Sequence, residues 1–365
     1  MSFFTKKEQE KASTNTHPMR NPKIQSSAAL LSKEGRNGAQ QSESLSENKT
    51  ITVNEAEFSD LYITPDKTCY VWSGISSCGL KTVTYSDLKE FIEAVVAKYE
   101  GTSSYSLRFK GTDHRIERSI AIEGEQYCAR KMPKSIPDIN KLGIPRGVLN
   151  QLMKLSDKTG LILLSGATGS GKSTTISALL KKYLETQGGY AFTIEDPAEM
   201  PLDGVYHTPN GDLGLCKQTT PPNGIWEEGI KQALRSMPRY IYLGEVRSAE
   251  SAEELLRAAT SGHLVFSTIH SNNVYDAITA MVKYAASGSM SEDMAYELMA
   301  NGLLTCIHQN LSGSPRRLQV EALFANPNIN SGCAVRSMIR SGNLNVATLL
   351  EAQKVKMEKG LPLFE

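Results

Sequence analysis

The chain has 365 residues, with 40 Lys and Arg against 39 Asp and Glu, and 40% of its residues are hydrophobic. A formal net charge of +1 gives no global basic field for nucleic acid, and no apolar run reaches the roughly 18 residues of a membrane-spanning helix. The length suffices for two folded domains and a tail, and the six cysteines form no C-x-x-C pair, as expected of reduced thiols in a cytosolic protein.

Residues 1–48 are rich in Ser, Asn, Gln and Lys without a sustained period, the composition of a disordered tail. The opening MSFFTKKEQEK turns polar too early for a secretory signal. Over residues 49–132 the pattern is that of a small α+β domain. SDLYIT (59–64) and TCYVW (68–72) read as strands around a Pro65-Asp66 turn. A helix starts near Ser86, with apolar residues at Leu88, Phe91, Ile92, Val95 and Val96. Strand-like segments follow at 105–109, 115–122 and 125–130. Pro133, Pro137 and Pro145 then forbid one continuous helix, so residues 133–148 are assigned as a linker.

The next segment, LILLSGATGSGKSTT at residues 161–175, is an apolar run ending in a glycine-rich loop that opens a helix. Gly166, Gly171, Lys172 and Ser173 stand in the G-x-x-x-x-G-K-[ST] spacing of a P-loop. Small residues let backbone N–H groups curl around a phosphate, and the following helix points its positive end at it. Thr168, Gly169, Ser170 and Thr174 complete the predicted nucleotide cradle. Lys172 is placed to reach the β- and γ-phosphates of ATP, and Ser173 to ligate the bridging Mg²⁺.

Three further apolar strands follow. YAFTI (190–194) ends at Glu195-Asp196-Pro197, YIYL (240–243) at Gly244-Glu245, and HLVFST (263–268) at Ile269-His270. Strands with helices between them imply a sheet buried on both faces, whose ligand site lies outside the carboxyl ends. Each acid or histidine taken alone has a bland reading as a solvated turn residue or a packed side chain, the latter expected of His207 and His308. Their order, each at a strand end, argues for one crevice. A region of mainly helical character is expected over 276–365, after a core at 149–275.

At these residues the chain resembles the secretion ATPase superfamily. TIEDPAE (193–199), LGEVR (243–247) and GHLVFSTIHS (262–271) are similar to its Asp box, Walker B and His box, and the likeness runs from about residue 59 to about 342, through IPDINKLGIP (136–145) and AVRSMIRSG (334–342). The spacing is most similar to the pilus retraction ATPases and to the Dot/Icm-type and TraJ-like conjugative-plasmid ATPases. The resemblance implies an α/β fold: a RecA-like P-loop ATPase domain, a smaller N-terminal α+β (PAS-like) domain and a helical C-terminal region.

The resemblance also implies roles. Glu199 would position or deprotonate the attacking water, with Glu195 or Glu245 as the alternative, and Glu245 would act on Mg²⁺ through a water. His270 would sense the γ-phosphate, with His263 supporting the same loop. Arg115 and Arg130 would reach a neighbouring subunit's nucleotide, with Arg118 and Arg108 as weaker candidates. The expected assembly is a homohexamer, cytoplasmic and peripheral at the inner-membrane components of a secretion, conjugation or type IV pilus machine, without direct nucleic-acid binding. Two departures stand out: Arg239 where the family often has Asp, and no four-cysteine zinc insert, which argues against the type II secretion branch. A P-loop nucleic-acid motor is the alternative from another class. It would call for a basic or aromatic channel, which the sequence does not display.

Overall fold

The computed structural model describes residues 51–73, 79–99 and 101–364. The expected tail over 1–48 and Cys78 lie outside the described residues.

The first domain is built on β1 (Asp60–Ile63), β2 (Cys69–Trp72), β3 (Lys81–Thr82), α1 (Leu88–Ala97), β4 (Ser104–Phe109), β5 (Thr112–Ala121) and β6 (Gly124–Lys131). The strands form an antiparallel sheet in the order β3-β2-β1-β6-β5-β4. The β1–β2 turn falls at Pro65-Asp66, where the Asp66 carboxylate accepts from the Thr64 hydroxyl and from the Thr68 amide and hydroxyl. Helix α1 lays Phe91 and Val95 on Leu61, Ile63, Ile116 and Ala129. Val96, read as part of the apolar stripe, is instead 41% exposed. Because side chains alternate across a strand, β5 sends His114 and Ile116 into this core and Arg115 to the other face, where Arg130 of β6 stands directly opposite.

The predicted linker is more ordered than its prolines suggest. A 3₁₀ turn at Ile139–Lys141 is capped by Asp138, and Ile136 and Ile139 are buried with the helix that follows the P-loop. Helix α2 (Arg146–Met153) begins directly after Pro145.

The remaining elements are β7 (Gly160–Ser165), α3 (Lys172–Gln187), β8 (Gly189–Ile194), β9 (Gly204–His207), β10 (Leu213–Thr219), α4 (Trp226–Arg235), β11 (Tyr240–Leu243), α5 (Ala249–Thr260), β12 (Leu264–Ile269), α6 (Val274–Ala286), α7 (Glu292–Gly302), β13 (Leu303–Ser312), β14 (Arg317–Phe324), α8 (Ala334–Arg340) and α9 (Val346–Glu358). They build an eight-stranded sheet, β14-β13-β7-β12-β11-β8-β10-β9, parallel except at its two antiparallel edges. The unbroken apolar reading of β7 follows from burial on both faces. Leu161 and Leu163 join the core beneath α5, α6 and α7, while Ile162 and Leu164 join the one beneath α3. At about 1.5–3 kcal/mol for each buried side chain, such a strand is held from both sides.

The C-terminal stretch combines the expected helices with a continuation of the sheet. Residues 276–365 do carry helices, but β13 pairs parallel with β7 and β14 adds an antiparallel edge, so the central sheet extends well beyond residue 275. The run LLTCI continues directly from α7 and is apolar on every side, so its periodicity does not separate strand from helix. The edge pair β9–β10 also escapes the sequence pattern, because Val205, Leu213 and Leu215 stay exposed.

Candidate active site

Four neighbouring strands, β7, β12, β11 and β8, end on the same edge of the sheet and carry the predicted motifs there. After β7 the chain turns at Gly166, with φ of 144°, and a Cβ on it would lie 2.2 Å from the Gln309 carbonyl oxygen. No side chain fits there. Gly171, with φ of 86°, opens α3 in a left-handed conformation and no side chain caps that helix end. The loop is held from behind by β13, where the Gln309 Nε2 donates to the Ser170 carbonyl at 2.7 Å.

Lys172 folds back over this loop and donates to the carbonyls of Gly166 (2.8 Å) and Ala167 (3.0 Å). Burial lowers its pKa, against the raising influence of Glu245 and Glu199. Both hydrogen-bond partners are neutral, so a buried cation faces the cavity without a salt bridge of its own among the described residues. Together with the uncapped N-terminus of α3, this is a cradle for an anion.

The acidic turn after β8 places its carboxylates differently. Glu195 is buried, and it accepts from the Thr193 hydroxyl (2.8 Å) and the Gln218 Nε2 (2.9 Å). Burial pushes its carboxyl up to about 7. Glu199 is exposed on the cavity wall. Glu245, beyond β11, is bound by the Arg247 guanidinium and lies 3.5 Å from the His270 Nε2. Thr268 at the end of β12 donates to the Gly244 carbonyl at 2.7 Å and ties the two strand ends together.

One cavity of about 730 Å³ gathers Thr168, Gly169, Gly171, Lys172, Ser173, Thr174, Glu195, Glu199, Glu245 and His270. Its opposite wall comes from the N-terminal domain and includes Arg115 and Arg130. Arg130 pairs with Asp60 at 2.8 Å, whereas Arg115 has no ion pair among the described residues. Both arginines therefore line the cavity of their own chain's P-loop. Arg118 is taken up by Glu125 and the Tyr99 ring, and Arg108 by Asp113.

His263 is not in the site. It precedes the amino end of β12, with Nδ1 2.6 Å from the Pro238 carbonyl oxygen, and an extended strand at about 3.3 Å per residue separates it from His270. Gly166 and Ser170 shape the loop from beneath and do not line the cavity. Arg239 lies before β11, away from the site, with Nη2 3.2 Å from the Ser156 carbonyl oxygen. Its departure from the family residue leaves the strand-end carboxylates untouched. His207 is exposed rather than packed; His308 is half-buried, 3.1 Å from the Ser165 hydroxyl through Nδ1.

Sequence reasoning also missed residues. Arg247, Lys131 and Trp226 line the cavity, and Arg247 also lies over the Trp226 ring. An arginine two positions past a strand-end glutamate was the one available signal. Gln309 and Gln218 belong to strands that the pattern did not disclose.

The donors fit a magnesium triphosphate. Ser173 and Glu245 offer hard oxygens on one cavity. Hard oxygens suit Mg²⁺, which takes few protein ligands and completes its shell with phosphate and water.

The type II/IV secretion system protein family matches residues 103–359. The chain belongs to this family. It is 32% identical over 185 residues to a putative type II secretion system protein E of Escherichia coli, covering 50% of this chain and 36% of that protein. It is 30% identical over 226 residues to a twitching motility protein of Neisseria gonorrhoeae, covering 60% and 56%. The chain thus spans about half or less of the length of these secretion-family relatives. Among solved structures, the pilus retraction motor PilT with bound ADP superposes with a TM-score of 0.66 at 26% identity, over 84% of this chain and 91% of that one. The fold is accordingly the α/β, RecA-like arrangement with a smaller N-terminal domain. No helix among the described residues is long and apolar enough to cross a membrane.

Proposed function

We propose that this secretion-family chain hydrolyses ATP with Mg²⁺ and couples the cycle to a secretion, conjugative-transfer or type IV pilus machine. The observation that carries the reading is the single cavity on which Lys172, Ser173, three glutamates and two arginines of another domain converge. Lys172 neutralises the β- and γ-phosphates from the loop side, and the amides opening α3 bind the same oxygens. Glu199, free on the wall, orients the attacking water and accepts its proton. Glu195, buried and held by Thr193 and Gln218, is the less suited base. Mg²⁺ would be held by Ser173 and approached by Glu245, and it supplies charge neutralisation between the phosphates. Arg115 and Arg130 add positive charge from the facing domain, which matters most in the transition state.

Because these arginines sit on another domain, closing the cavity draws the two domains together, and this is the motion available to drive a machine. We place the chain in a homohexameric ring at the cytoplasmic face of the inner membrane, as the family resemblance implies. The test is Mg²⁺-dependent phosphate release by the purified chain, with Lys172→Ala losing nucleotide binding and Glu199→Gln keeping binding but losing about two orders of magnitude in turnover. Phosphate release by Glu199→Gln at the parental rate would show that Glu199 is not the base.

A further inference from the structure

Gln218 stands at the carboxyl end of β10, opposite Thr193 of β8, and its amide is used to capacity. Its Nε2 donates to the Glu195 Oε1 at 2.9 Å and to the Met200 carbonyl at 2.8 Å. Its Oε1 accepts from the amides of Leu202 at 2.9 Å and Asp203 at 3.0 Å. Two donors and two acceptor sites are all that a glutamine side chain offers. Its backbone amide adds a fifth link, donating to the Asp203 carboxylate at 3.0 Å.

These bonds fall on both sides of Glu199. Upstream, the Glu195 carboxylate, four residues before Glu199, is held by the Gln218 amide. Downstream, the Met200 carbonyl and the next two amides are fixed to the same side chain. Glu199 itself is exposed and projects from a loop whose two ends are tied to one residue of an adjacent strand.

We infer that Gln218 is a positioning residue that sets where the Glu199 carboxylate stands over the cavity, acting through Glu195 and the backbone of residues 200–203. The inference rests on the ATPase reading of the site. It extends that reading to a residue with no direct contact to the P-loop among the described hydrogen bonds. A brace of this kind changes the rate of the chemical step and leaves nucleotide affinity alone, because the P-loop is supported separately by Gln309.

The experiment compares Gln218→Met with Gln218→Glu in the full chain. Methionine keeps the volume and loses all four side-chain bonds. Glutamate keeps the acceptor oxygens for Leu202 and Asp203 but turns a carboxylate towards Glu195. The readouts are kcat for Mg²⁺-dependent phosphate release, the Kd of a fluorescent ADP analogue, and hydrogen exchange at the amides of Leu202 and Asp203. For Gln218→Met, kcat should fall by about a hundredfold, the cost of a displacement of about 1 Å at a catalytic group. Kd should be unchanged, and both amides should lose protection. For Gln218→Glu, protection should persist while kcat still falls, which a purely structural brace would not produce. A parental kcat in Gln218→Met, or a loss of affinity in step with kcat, overturns the inference. If Gln218→Met does not fold, Gln218→Glu decides alone, and a parental kcat there overturns it. A parent chain that releases no phosphate refutes the ATPase reading and this inference with it; an active parent with an unaffected Gln218 variant refutes only the inference.

Discussion

Arg115 and Arg130 occupy facing positions on one sheet surface, yet their removal should move stability in opposite directions. Arg130 holds Asp60 through Nε at 2.8 Å and Nη2 at 3.3 Å, and the Asp60 side chain is 3% exposed while that of Arg130 is 59% exposed. Alanine at 130 leaves a buried carboxylate without its charged donor, a loss of about 1.5–3 kcal/mol. The larger cost of breaking a fully buried pair does not apply, because the guanidinium is mostly in water. Arg115 has no compensating acid among the described residues and faces a like charge directly across the ladder. Alanine there should relieve about 0.2–1 kcal/mol. At about 2–4 °C per kcal/mol, Arg130→Ala should lower Tm by roughly 3–12 °C, and Arg115→Ala should leave it level or raise it by up to about 4 °C. Turnover should fall in both, by about a thousandfold if each acts as an arginine finger. Differential scanning fluorimetry without nucleotide and a phosphate-release assay read the two quantities separately. Equal losses of Tm in the two variants, or parental turnover in Arg115→Ala, would refute the reasoning. Mixing the double arginine variant with Glu199→Gln tests whose nucleotide the arginines serve, since own-chain supply predicts no recovery of activity in mixed rings.

Glu195→Gln should stabilise the chain at alkaline pH. With its folded carboxyl near 7 against an ordinary 4.5, the native state holds a proton that the unfolded state has lost in between. Stability therefore falls as pH rises through that window, and the penalty above it, about 3 kcal/mol, should vanish on substitution; Tm measured from pH 5 to 8 should show the variant's advantage only at the upper end. Gly166→Ala drives a Cβ to 2.2 Å from the Gln309 carbonyl oxygen, so it should cost about 1–3 kcal/mol by overpacking and also weaken nucleotide binding, read by titration with a fluorescent nucleotide. His263→Ala, at the far end of β12, should lose about 1 kcal/mol of stability with its hydrogen bond and keep parental turnover in the phosphate-release assay.

The sequence by itself determined the motifs and the edge they share. A strand buried on both faces has an unmistakable apolar run, and the residue that follows it leaves at the carboxyl end. LILL, YAFTI and YIYL therefore announced both the sheet and the places of Lys172, Glu195 and Glu245. The β1–β2 turn and α1 were equally local, because turn chemistry and a helical apolar stripe are properties of neighbouring residues.

Pairing across long separations was decided only in the tertiary structure. His263 and His270 belong to one motif, but strand geometry sends them to opposite ends of β12. LLTCI becomes a strand because β7 offers an open hydrogen-bonding edge, and with it Gln309 arrives behind the P-loop. The position of Arg115 and Arg130 over their own chain's cavity depends on how two domains pack, which no local pattern encodes. Gln218 was invisible for the same physical reason: its four bonds reach a loop, and an amide side chain carries no periodicity that would reveal which backbone it holds.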